Sequence, residues 1–203
     1  MRPLGFCALG GALLAALGLV VLMDVGSFPS QTALIVVWLM PITFGLHVFE
    51  EFGMPGGFED WSASYRPLSA ETMTRAHLWR ANAIGGAAAL GVTLGVFDYA
   101  GGFSAFGACG WLMVLFTLTE NGLYHVRGTV ESRRYSPGVV TSLLFYLPLT
   151  VLGTVFLVGS GAVGVVAVPI CAIGGIVLMR LILRASRQHE LPAGGGRHAA
   201  PAE

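Results

Sequence analysis

The run His47-Val48-Phe49-Glu50-Glu51 places one imidazole and two carboxylates within five residues. On a helix, His47 stands i,i+3 from Glu50 and i,i+4 from Glu51, so all three lie on one face. Imidazole with carboxylate is a ligand set for a divalent transition metal, iron or manganese in preference to zinc; magnesium and calcium favour all-oxygen shells. Groups of the same kind recur downstream at His77, Glu120 and His125. Asn121 and His125 are i,i+4 and share a face. Glu120 and His125 are i,i+5, about 140° apart around a helix, so they suit two neighbouring ions better than one. His47, Glu50, His77, Glu120 and His125 are therefore the candidate metal ligands. Glu51, Asn121 and Tyr135 are the candidates for proton transfer or for orienting the ligands. One ion and two ions both stay open. Di-iron bundles use Glu and His three residues apart on facing helices, and a single ion with a carboxylate as general base uses the same residue types.

These residues need elements to carry them, and composition says what kind. Charged residues make up 11% of the 203, hydrophobic residues 55%, and mean hydropathy is +0.75. A soluble domain carries about 25% charged residues, so a water-exposed globule and a disordered chain are both excluded. Formal net charge is zero and no basic stretch interleaves with aromatics, which argues against nucleic acid. An all-α, polytopic membrane bundle remains.

A membrane-crossing helix needs about 20 mostly apolar residues. Six segments qualify: Leu4–Met23, Gln31–Phe52, His77–Phe97, Phe103–Tyr124, Val139–Val158 and Ala162–Leu183. The first lacks an A-x-A site after it and reads as a span rather than a cleaved signal. All 11 basic side chains are arginines. With six spans they fall at the two ends and in connections 2–3 and 4–5, while Asp24 and Asp98 mark the opposite side. The positive-inside rule then puts both termini in the cytoplasm, with the inner membrane as the location. The expected organisation is a six-helix domain over 1–184 and a disordered cytoplasmic tail over 185–203, with His189 and His198 solvated.

An ionisable group inside a span costs a few kcal/mol, roughly, and persists when it is paired, lines a cavity or has a function. At ~1.5 Å per residue, the candidate groups lie ~22–33 Å below the outer ends of their helices. Three helices thus deliver three histidines and three glutamates to one layer at the cytoplasmic side. Glu50 and Glu51 also sit at a helix C-terminus, where the macrodipole disfavours negative charge. A compensating cation is required, either a metal or an arginine such as Arg75, Arg80 or Arg127. After the fourth span, Tyr135-Ser136-Pro137-Gly138 reads as a helix start with Ser136 as N-cap, aiming a positive helix end at the same layer. The connection Gly53–Ala76 covers the site or lies on the headgroups.

The motif His47-Val48-Phe49-Glu50-Glu51 resembles the signature of the HXXEE family of small bacterial membrane proteins. Asn121…His125 and Tyr135-Ser136-Pro137-Gly138 are similar to that family's downstream His and Tyr-x-Pro-Gly segments, with Ser136 where asparagine is expected. The resemblance covers about residues 42–148 and implies a shared site at His47, Glu50, Glu51 and His125. The family is named for its motif, so the resemblance implies little about substrate. The chain also looks like small membrane enzymes of actinobacterial pathways that form N–N bonds in hydrazine or azoxy groups.

The expected function is a membrane-embedded, metal-dependent enzyme, an oxidoreductase, isomerase or hydrolase. It acts on a small amine-type or lipid-like molecule, with N–N bond formation in specialised metabolite biosynthesis as one form. Two other readings stay open. A proton-coupled transporter also uses intramembrane carboxylates and histidines, although no inverted repeat is visible. An accessory membrane subunit would recruit a soluble cytoplasmic enzyme through its loops.

Overall fold

The computed structural model describes residues 1–25, 31–65, 74–97 and 102–187. It is all-helical. The elements are α1 (Arg2–Val25), α2 (Gln31–Phe52), α3 (Phe58–Tyr65), α4 (Arg75–Leu94), α5 (Ala105–Ser132), α6 (Val139–Gly159) and α7 (Ala167–Arg187). Four of them, α1, α2, α6 and α7, are long and apolar enough to cross a membrane, which points to a membrane protein. They carry their apolar surface outward: Leu13, Leu14 and Leu17 on α1, Val151 and Val155 on α6, and Ile170 and Ile173 on α7 are all exposed.

The longest helix, α5, supplies much of the core. Its Trp111, Leu112 and Leu115 are fully buried and meet Val37 and Met40 of α2 and Leu149 and Leu157 of α6. The Trp111 indole donates to the Val37 carbonyl at 3.0 Å, fixing α5 against α2. The protein-facing side of α5 carries Thr117 and His125, both buried, while Glu120 is partly exposed. Ser104 caps its N-terminus by accepting from the Gly107 amide, and Arg133 ends it in the left-handed region at φ 52°. α4 begins in the same way, with the Thr74 side chain accepting from the His77 amide. On the outside, α1 packs along α2. Gly45 permits the close approach, since a Cβ there would lie 2.6 Å from the Ala8 carbonyl oxygen.

Several boundaries move from the sequence expectation. α5 continues through His125 to Ser132, two turns beyond the apolar stretch. The 53–76 connection contains the short helix α3. α7 runs to Arg187, so residues 185–187 are helical rather than tail; residues 188–203, with His189 and His198, lie outside the described residues. α6 starts at Val139 with Gly138 as N-cap and no side-chain capping bond, so Ser136 does not cap it. Within α6, Ser142–Tyr146 form a π segment in which the Leu147 amide bonds the Ser142 carbonyl. Pro148 accounts for this: it offers no N–H to the Leu144 carbonyl and its ring would collide with that oxygen, so the preceding turn widens.

Candidate metal centre

The last two turns of α2 carry His47, Glu50 and Glu51, and all three side chains are buried. The other walls come from His125 of α5, the 133–138 connection, the start of α6, and α3. Among the described residues, one group of at least three His, Cys, Asp or Glu side chains can hold a metal ion: His47, Glu51 and His125. One donor atom from each lies within 4.8 Å of the others. Glu51 Oε1 is 3.4 Å from His47 Nε2 and 3.0 Å from His125 Nε2.

The hydrogen-bond network fixes which imidazole nitrogens face inward. Thr141 Oγ1 donates to Glu50 Oε2 at 2.6 Å, so it accepts from His47 Nδ1 at 2.8 Å. His47 Nε2 then carries the lone pair and accepts from Asn121 Nδ2 at 2.9 Å. His125 Nδ1 is held by Ser136 Oγ at 2.9 Å, which leaves its Nε2 turned to Glu51. Ser136 therefore orients a histidine instead of capping a helix. Second partners of this kind set tautomer and ring direction in metal-binding histidines.

His125 Nε2 is buried, lies 3.0 Å from the Glu51 oxygen as an ion-pair contact, and makes no well-aligned hydrogen bond among the described residues. An imidazole nitrogen and a carboxylate oxygen placed this way can share an ion. The separations fit as well: donors at about 2.0–2.1 Å from a tetrahedral ion stand about 3.3 Å apart.

Glu50 has a different role. It receives four hydrogen bonds: the Val140 amide at 3.1 Å, the Thr141 amide at 2.7 Å, the Thr141 hydroxyl at 2.6 Å and the Tyr135 hydroxyl at 2.5 Å. The positive end of α6 does point at this layer, and the anion it meets is the chain's own Glu50. Burial, with the Glu50 carboxylate beside it, pushes the Tyr135 phenol well above its usual range, so it stays a donor.

Aromatic rings close the centre. The two imidazoles meet edge to face with centroids 4.9 Å apart. Phe58 and Trp61 of α3 stand 5.4 and 6.0 Å from His125, and Tyr146 of α6 stands 4.6 Å from His47. The connection thus covers the site. Two glycines make this possible. A Cβ on Gly138, already at φ 106°, would lie 2.8 Å from Cε1 of both imidazoles; a Cβ on Gly128 would lie 2.5 Å from the Trp61 ring. Phe58 also lines a cavity of about 280 Å³ that includes Arg2, Gly56, Glu59 and Asp60.

The remaining candidates lie elsewhere. Glu120 faces α7, with Arg180 Nη2 at 3.8 Å from its Oε1. His77 is buried in the first turn of α4, outside the His47–Glu51–His125 group. The described arginine ion pairs go to Glu59, Glu131 and Glu120, and none to Glu50 or Glu51. Sequence reading missed Thr141, Ser136 as an imidazole partner, Gly138 and Tyr146. The available signal was their position: Ser136, Gly138 and Thr141 surround a helix start already assigned to the same layer.

Residues 38–152 match the family model described as protein of unknown function with HXXEE motif, which covers more than half of the chain. No curated protein and no solved structure matches it. The chain belongs to the HXXEE family.

Proposed function

We propose that this HXXEE-family chain is a membrane-embedded, metal-dependent enzyme whose single divalent ion is held by His47, Glu51 and His125. The carrying observation is the convergence of two oriented imidazole nitrogens on a buried carboxylate that, among the described residues, pairs with no arginine. Two histidines and one carboxylate that leave coordination positions open are the ligand set of non-haem iron oxygenases, so iron is favoured, then manganese. When bound, such an ion supplies redox chemistry on a small molecule. The substrate class we favour is a small amine, with N–N bond formation in specialised metabolism as the specific form.

The chain's own residues do the rest. Glu50, through Thr141, keeps His47 Nε2 inward, and Ser136 does so for His125. Phe58 and Trp61 exclude water from the His125 side. Turning the Asn121 amide over puts its oxygen where its nitrogen now meets His47 Nε2, giving a fourth donor without moving the backbone. Around this centre we place six membrane crossings, with α4 and α5 completing the four apolar ones, both termini cytoplasmic, and the site at the inner face.

Metal analysis of the detergent-purified full chain tests the proposal. Iron or manganese at one per chain, lost in Glu51→Ala, is the expected result. Stoichiometric zinc would shift the reaction to hydrolysis of a lipid-like substrate, and wild-type protein that takes up no metal would overturn the reading.

A further inference from the structure

Among the described residues, several buried polar atoms in or beside the walls of the proposed centre have no hydrogen-bond partner, Trp61 Nε1, Ser62 Oγ and the Tyr146 hydroxyl among them, and of these Tyr146 is the one packed on a candidate ligand of α2. Tyr146 is fully buried, its ring lies 4.6 Å from the His47 ring, and its hydroxyl has no hydrogen-bond partner among the described residues. A buried hydroxyl with no partner is costly, since it has given up its bonds to water and gained none in return. His125 Nε2 is in the same condition, and there the ion accounts for it. The phenol needs an explanation of its own.

Its place in α6 is unusual too. Tyr146 ends the π segment that begins at Ser142. A π turn holds more than the usual 3.6 residues, so it rotates the residues after it relative to a regular helix. Thr141, just before the segment, serves His47 Nδ1; Tyr146, at its end, packs on the ring of the same imidazole. Gly122 of α5 packs against this segment: a Cβ there would sit 3.2 Å from Ser142 Cβ and in ordinary contact, at 3.4 Å, with the Tyr146 ring. The helix is thereby shaped to bring two side chains five residues apart to one histidine, one of them with an unused donor.

We infer that the Tyr146 hydroxyl is a hydrogen-bond donor to an anionic or oxygen-bearing ligand that joins the ion at His47, Glu51 and His125. Tyr146 is then a specificity-determining residue for that ligand and not a ligand of the ion. The inference rests on the metal reading above. A hydroxyl that meets a partner only when the exogenous ligand arrives favours that liganded state selectively.

The experiment uses the full chain in detergent, loaded with ferrous iron, and azide as the probe. Tyr146→Phe removes one oxygen and keeps the ring. Expected are unchanged metal stoichiometry, thermal stability of the metal-free protein equal to or above wild type, and azide binding weaker by about tenfold, the size of one hydrogen bond to a charged group. Azide affinity within twofold of wild type overturns the inference, as does loss of metal from the variant. A second measurement needs no variant: the N–O stretch of nitric oxide bound to the unsubstituted ferrous protein is expected to shift in deuterated water, and an unshifted band also overturns it. Wild-type protein that binds no iron sinks the metal reading itself, a distinguishable failure.

Discussion

Glu51 on α2 and Glu120 on α5 are both acidic side chains on long helices in a largely apolar chain, and their surroundings differ in kind. Glu120 is partly exposed and meets the exposed guanidinium of Arg180 at 3.8 Å. Glu51 is buried between two imidazoles, each oriented from behind by a hydroxyl. An arginine approaches one oxygen of the first carboxylate, Oε1, from the exposed side. The second is enclosed by groups that become cationic only on protonation, and one of them, His125 Nε2, makes no well-aligned hydrogen bond among the described residues. Residue type is the same; what differs is the neighbours, one guanidinium beside Glu120 and two converging imidazoles around Glu51.

The largest expected effect tests that contrast directly. Glu51→Ala and His125→Ala should each reduce bound metal from one ion per chain to none, while Glu120→Gln keeps the full complement; metal analysis of the purified variants decides, and an emptied Glu120→Gln would break the comparison. Next in size is Gly138→Ala. The added methyl meets both imidazoles at 2.8 Å and the backbone sits at φ 106°, so a loss of about 1–3 kcal/mol is expected, read as a drop in Tm together with weaker metal binding. Thr141→Val and Ser136→Ala release the imidazoles without touching the ion. Metal affinity should fall by about 10–100-fold, measured by competition with a chelator. Smallest is Arg180→Gln: an exposed pair at this distance is worth about 0–1 kcal/mol, so thermal denaturation should barely change.

How much of this was legible beforehand depended on whether the determining interaction was local. α2 spans Gln31–Phe52 as its apolar run predicted, and the His47–Glu51 face follows from helical spacing alone. The division of labour within the motif was not legible. Glu50 and Glu51 are adjacent and chemically alike, yet Glu50 meets the amides of α6 and Glu51 meets His125, because a 100° turn of the helix aims them at different neighbours. The expected cation beside Glu50 proved to be a helix N-terminus with two hydroxyls. Polar residues 125–132 read as a connection because hydropathy ends where the apolar run ends; the helix persists since its backbone bonds do not depend on lipid. α3 went unseen because eight residues of mixed character carry no clear period, and its fit depends on Gly128, distant in sequence.

The four hydrogen bonds on Glu50 have a consequence for biogenesis. Thr141 follows Glu50 by 91 residues, so α2 is synthesised and inserted long before its partner exists. Until α6 arrives, nothing holds the Glu50 carboxylate or the back of the His47 ring, and His125 lacks Ser136. The clasp between these two helices is therefore a late contact: α2 and α5 already hold His47, Glu51 and His125, and α6 adds the bonds that orient His47 and Glu50 only once it has been made.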